Sequence, residues 1–361
     1  MNVVALMISR MVFVRFIAIV VGLSFFVLTL EVVAYSKDIL ALTEGTNSSN
    51  LGAVAHYVLF RMPLTLATFL PMSLLLALLL TLTELSYRNE LVAIWSSGVS
   101  PARLILMLLP LALVIGAIHF ALLDRGVPAT APTLRTWAIG DYGEKKLKVG
   151  EKDPIWLRSG NDIMRAASAS RDSRKLDDVV IFKRDPEGLL IEQLFVEHAE
   201  LKDGVWKLEN VTTYSRGNKP PQKSATAQYA GSMRPAAAGS RSGDPEEMTF
   251  SDLNYFIAND GFGIRPAYVY ETWRHKRMTP IIIAIVMVAL CVPMAARFRR
   301  GGGLGLLFAL GIGMGFSFFV LDGIAQSVGE LGFVSPWLAA WTPVLVFAAV
   351  AAYLTMQTER V

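Results

Sequence analysis

Six apolar runs, at residues 16–35, 63–83, 104–123, 280–296, 304–321 and 336–355, constrain the fold more than any other feature of this chain. Runs of this kind can cross ~30 Å of hydrocarbon as helices, the fourth being the shortest, and lipid tolerates only spans whose backbone groups are paired internally. A content of 53% hydrophobic and 18% charged residues, with a positive mean hydropathy, exceeds what a soluble globular chain carries. Between the third and fourth runs lies a polar stretch, 124–277, with no apolar run of spanning length and enough residues for one independent domain. The predicted organisation is therefore an α-helical membrane protein with six transmembrane helices in a 3+3 arrangement. Helices one to three fall in 1–123 and helices four to six in 278–361, with one domain inserted between them.

Inside that domain, "IWLRSG", "VVIFKR", "LLIEQLFVEHAEL" and "VWKLENVTTY" are short runs rich in β-branched and aromatic residues, broken by Gly, Asp and Pro. They read as antiparallel strands of an all-β sandwich or jelly-roll-like domain. The Pro-, Gly- and Ala-rich segment 217–244 reads as a loop or irregular strands without an assigned role. The single cysteine, Cys291, falls in the fourth apolar run and cannot staple the domain.

Basic residues in short connections stay on the cytoplasmic side. Arg10, Arg88, Arg103, Arg297, Arg299, Arg300 and Arg360 all fall on one side, whereas Lys37 beyond the first run is balanced by Asp38 and Glu44. Both termini are thus expected in the cytoplasm and the inserted domain on the opposite side of the membrane. The net charge of +4 follows from this asymmetry and does not call for nucleic acid. A cleaved signal peptide is not expected from the first run, which is too long and lacks an A-x-A site after it.

Few polar residues interrupt the apolar runs: Glu31, His119 and Asp322. His119 suits a structural hydrogen bond, and Arg15 and Arg61 are placed to snorkel to the two interfaces. In the fifth run, Gly301/Gly305 and Gly311/Gly315 have small-xxx-small spacing, which lets helices approach closely, either within the chain or against a partner. The glycine run at Gly301 is not a phosphate loop, since no Lys follows it. No catalytic residue, metal site or cofactor is expected on this chain, so ATP-driven work would need ATP and Mg bound by a separate subunit.

The connection between helices two and three is the candidate docking site for such a subunit. On a helix over about 84–98, Tyr87, Leu91, Ile94 and Trp95 share one face, with Glu84, Arg88 and Glu90 at its edges. Gly98 offers a C-terminal cap, and Ser100 with Pro101 opens the next helix. The mixed signs of the edge favour a protein partner over a lipid surface. On the opposite side, Arg274, His275, Lys276 and Arg277 precede helix four in breach of the charge rule. With Lys37, Arg125 and Arg135 they are candidates for a collar around a phosphorylated lipid head group, the alternative being ordinary snorkelling.

In their order and spacing, "RNELVAIWSSGVSPARL", "DRGVPATAPTLR", "PIWLRSGNDIMRA" and "FFVLDGI" resemble the LptF/LptG permeases of the lipopolysaccharide exporter, and more closely its LptG branch. The resemblance runs over nearly the whole chain. It implies LptF as heterodimer partner, an LptB ATPase dimer, LptC and the LptA bridge, and lipopolysaccharide as cargo. Glu90 then fits the position of the ATPase contact, and Arg135 that of a lipid A phosphate contact. Gly311 and Gly315 would pack at the gate between helix one of one subunit and helix five of the other. Two rivals fit less well: lipoprotein-releasing permeases insert their domain after the first helix, and a membrane sensor carries a cytoplasmic output domain.

Overall fold

The computed structural model describes residues 3–42, 49–142, 155–159, 161–169, 175–202, 205–217, 220–230, 244–258, 265–297 and 304–359. These fall into two compact units, Met1–Gly140 with Thr272–Val361, and Asp141–Glu271. The expectations for Gly301, Glu44, Arg299, Arg300 and Arg360, and for most of segment 217–244, lie outside the described residues.

The first unit is helical. α1 (Val3–Ala34) is followed by a short α2 (Ser36–Ala41) and by α3 (Asn50–Tyr87). The Ser49 hydroxyl caps α3 by accepting from the Gly52 amide at 3.2 Å. A short α4 (Glu90–Ser96) precedes α5 (Pro101–Ala121), whose start combines Pro101 with Ser100 accepting from the Arg103 amide at 3.2 Å. The helix then runs through one π turn, Leu122–Gly126, into α6 (Val127–Trp137).

After α7 (Phe250–Ala258), which belongs to the second unit, come α8 (Ala267–Met278), α9 (Pro280–Arg297), α10 (Leu304–Glu330) and α11 (Pro336–Glu359). Five helices among the described residues are long and apolar enough to cross a membrane, or six if α8 and α9, bent by 50°, count as one. The bend falls at Thr279, which precedes Pro280 and is driven from the helical region by the proline ring.

α3 is the central helix of this unit. Leu70, Leu74, Leu75, Leu78, Leu79, Leu82 and Leu85 are buried around more than one of its faces, so it carries neighbours on several sides. Gly116 lets α5 meet α9 closely: a Cβ there would lie 2.6 Å from Ile281 Cα.

The second unit holds a six-stranded antiparallel sheet: β1 (Ile155–Ser159), β2 (Asp162–Ala169), β3 (Lys175–Arg184), β4 (Leu190–Lys202), β5 (Val205–Ser215) and β6 (Gln222–Tyr229). It also holds α7 (Phe250–Ala258). The strands pair in sequence order, an up-and-down meander, so the crossovers that define a jelly roll are not among the described connections. Connections as short as 203–204 between β4 and β5 can only return a strand beside its predecessor.

One face of the sheet buries Met164, Leu176, Ile181, Leu194, Val196, Trp206, Leu208 and Val211. The alternation slips by one residue at Asp178, Glu197 and Asn210, which lie in one row across β3, β4 and β5. Asp178 and Asn210 adopt left-handed φ values of 49° and 54° there, which restores the apolar face beyond the slip.

Candidate functional site

At one end of the helical unit, α3 stops at Tyr87 because Asn89 turns left-handed, with φ 58°, and α4 begins at Glu90. The expected single helix over 84–98 is therefore two, and Tyr87 does not share a face with Leu91, Ile94 and Trp95. Leu91 is fully buried, and Ile94 and Trp95 pack against the helical core. A seven-residue helix cannot stand free in water, so its apolar side closes on its own chain. The corner between α3 and α4 presents Tyr87, Arg88, Glu90 and Val92 outward, all exposed. Gly98 takes φ 87°, and its amide reaches the Trp95 carbonyl at 3.0 Å, the cap expected from the sequence.

Glu84 turns back towards α1. Arg15 pairs with one of its carboxylate oxygens, and Arg88 with the other at 2.6 Å. Arg15 was expected to snorkel; instead it ties α1 to α3. The signal in the sequence was only a charge inside an apolar helix, without its partner.

The opposite end has a matching tie. Arg61 Nε lies 2.8 Å from Glu31 Oε1, which also accepts from the Tyr57 hydroxyl at 2.8 Å. Arg61 thus joins α3 to α1 where snorkelling was expected. His56, Phe60 and Trp137 stack edge-on beside it, with ring centroids 4.8 to 5.3 Å apart. His119 is buried and hydrogen-bonded to the backbone of Ala67, so it serves structure, as expected.

The seven basic candidates divide. Lys37 and Arg125 are exposed, and Arg135, Arg274 and His275 half-buried. Lys276 pairs with Asp322 of α10. Arg277 is buried and donates to the Leu123 carbonyl, inside the π turn where the i−4 ladder is interrupted. Lys276 and Arg277 are therefore engaged within the chain. Trp273 Nε1 donates to Glu330 Oε1 at 2.8 Å, a further tie between α8 and α10 that the sequence reading missed.

Gly311 and Gly315 face α3. A methyl group on either would overlap the side chain of Leu79 or of Leu75, respectively, so this glycine pair serves packing within the chain. On the far side of α10, Gly313 and Gly323 meet nothing within 4 Å, and Leu306, Leu310, Phe316, Val320 and Ile324 are exposed.

The family described as Lipopolysaccharide export system permease LptF/LptG matches residues 6–357. The protein named Lipopolysaccharide export system permease protein LptG of Escherichia coli strain K12 is 24% identical over 326 residues, 87% of this chain and 88% of that protein. Its namesake from Haemophilus influenzae strain Rd is 24% identical over 296 residues, 79% of this chain and 80% of that protein.

Proposed function

The chain belongs to the LptF/LptG family of lipopolysaccharide export permeases, and from that premise we propose that it is an LptG-type subunit of an ATP-driven exporter. In this reading it extracts lipopolysaccharide from the inner membrane and passes it to a periplasmic bridge. One observation carries the proposal: the family match runs from residue 6 to 357, through the helices on both sides of the sheet and the sheet itself. The chain makes and breaks no covalent bond and binds no cofactor of its own. An LptB dimer supplies ATP hydrolysis with Mg, LptF completes the permease, and LptC with the LptA bridge takes the cargo.

Three spans lie on each side of the sheet in this reading, α8 and α9 acting as one broken span. Both termini and α4 are cytoplasmic, and the sheet is periplasmic. The ATPase rests on the outward side of the α3–α4 corner, on Tyr87, Arg88, Glu90 and Val92. Leu91, Ile94 and Trp95 hold that corner to the membrane core and transmit its displacement. Glu84 acts from behind, through Arg15, on α1. Lys37, Arg125, Arg135 and Arg274 are the cations best placed for lipid phosphates, with Lys276 and Arg277 as the scaffold behind them. The exposed faces of α1 and α10 supply the lateral gate with LptF, while Gly311 and Gly315 set the depth at which α10 sits on α3.

Affinity purification of the full chain from its native membrane, followed by mass spectrometry of subunits and lipids, tests the assignment. An ATPase, a second permease chain and a lipid bearing lipid A phosphates are expected together. A lipoprotein cargo, or the absence of an ATPase from an intact preparation, would overturn it.

A further inference from the structure

Between α1 and α3, at the Glu84 end, lies an open groove of about 530 Å³ lined by Arg15, Ala18, Ile19, Leu80, Thr83, Glu84 and Tyr87. Ala18, Ile19 and Leu80 form an apolar trough, and Arg15, Thr83, Glu84 and Tyr87 make up its polar lining. One turn further along α1, on the same face as Arg15 and Ala18, Gly22 is exposed and meets nothing within 4 Å, so no side chain of this chain blocks the surface beyond the trough.

The polar part of the lining carries excess positive charge, because two guanidinium groups, Arg15 and Arg88, share the single carboxylate of Glu84. It also carries unused hydrogen-bonding capacity. Arg15 Nη1 and Thr83 Oγ1 are shielded from solvent and meet no hydrogen-bond partner among the described residues. A net cation with a spare donor beside an apolar trough matches an anionic head group with an acyl chain.

We propose that this groove binds an acidic phospholipid of the membrane leaflet next to the α3–α4 corner. Its phosphate sits against Arg15, Arg88 and Thr83, and one acyl chain lies along Ala18, Ile19, Leu80 and Gly22. The leaflet is the cytoplasmic one if the proposed orientation holds; the binding chemistry is independent of it. Glu84 competes with the phosphate for both arginines. A bound lipid therefore loosens the tie between α1 and α3 beside α4, which gives the surrounding phospholipid a hold on the corner proposed to receive the ATPase.

The test is native mass spectrometry of the purified full chain in detergent, titrated with phosphatidylglycerol and, separately, with phosphatidylcholine. Wild type is expected to bind phosphatidylglycerol on the order of 10-fold more tightly, as fits a charge-assisted phosphate contact. Arg15→Gln should abolish that preference, and Glu84→Gln should strengthen it by freeing both guanidinium groups. Ala18→Leu, at an exposed position that keeps every charge, should weaken retention of both lipids by filling the trough. Equal binding of the two lipids by wild type would overturn the proposal, and so would equal losses in Arg15→Gln and Glu84→Gln, the result for a purely structural ion pair. Displacement of phosphatidylglycerol by lipopolysaccharide at one-to-one stoichiometry would also overturn it, making the groove a cargo site. Because this readout uses the isolated chain and no transport, it can fail while the co-purified subunits still support the export assignment, and the reverse.

Discussion

Glu31 and Arg61 pair at 2.8 Å between α1 and α3, with only 12% and 11% of their side chains exposed. The Arg15–Glu84 pair joins the same two helices 16 residues lower on α1, about 24 Å at the helical rise. The two pairs therefore clamp α1 to α3 near both margins of an apolar layer close to membrane thickness.

A clamp of this kind fails by leaving one charge behind. Arg61→Ala or Glu31→Ala should each destabilise the chain by about 3–5 kcal/mol, because a buried ion loses its partner. Glu31→Leu with Arg61→Met should recover most of that loss. Thermal unfolding midpoints of the full chain in detergent decide it: a double variant as unstable as the sum of the singles would refute the account.

The α3–α4 corner separates folding from coupling. Leu91→Ala should cost about 2–5 kcal/mol of stability, since a fully buried leucine is removed. Glu90→Lys, at an exposed position, should change stability by no more than about 0.5 kcal/mol while uncoupling ATP hydrolysis from transport in the assembled complex. Normal export per complex by Glu90→Lys would remove Glu90 from the docking surface.

Packing of α10 on α3 has a local control. Gly311→Val should destabilise by about 1–3 kcal/mol through overlap with Leu79, and Leu79→Ala should partly rescue it. Gly313→Ala, with nothing within 4 Å of the new methyl, should be tolerated. Equal damage from both glycine variants would place the close contact outside this chain.

In the sheet, His198 Nδ1 lies 2.8 Å from Asp177 Oδ1. This hydrogen bond, aided by the negative charges of Asp177, Glu197 and Glu209, raises the imidazole above its ordinary value of 6.5. A folded pKa above the unfolded one means the favourable contribution is complete below the ordinary value and is lost as pH rises through the folded value. Asp177→Asn should return the His198 ring-proton titration, followed by NMR on the labelled full chain, towards 6.5. An unchanged midpoint would show that Asp177 does not set it. Nearby, Glu200 is held below the usual carboxylate range by its hydrogen bond to Lys202 and then by Lys175, so it stays ionised throughout this window.

The sequence by itself determined that several apolar helices lie on each side of a polar, strand-rich insertion, and it gave the cap at Gly98 and the start at Ser100, whereas α1 and α3 begin well before the apolar runs at 16 and 63. Each of these depends on neighbours within a turn or two: transfer into lipid is a property of local composition, and caps are satisfied by adjacent amides. Four strands were legible for the same reason, as short β-branched runs. β6 was not, because Gln222–Tyr229 is almost wholly polar and exposed, and its backbone pairing with β5 makes it a strand. The slip at Asp178, Glu197 and Asn210 likewise hid the alternation from a period-two reading.

Only the tertiary structure decided which charges meet. Arg15 and Glu84 are 69 positions apart, and Arg61 and Glu31 are 30 apart. The rotation that brings each pair together is set by how α1 and α3 pack along their full length, to which all-apolar helices give no directional clue in sequence. The same rotation turned Leu91, Ile94 and Trp95 inward and aimed Gly311 and Gly315 at α3, where spacing alone allowed either a neighbour in the chain or a partner.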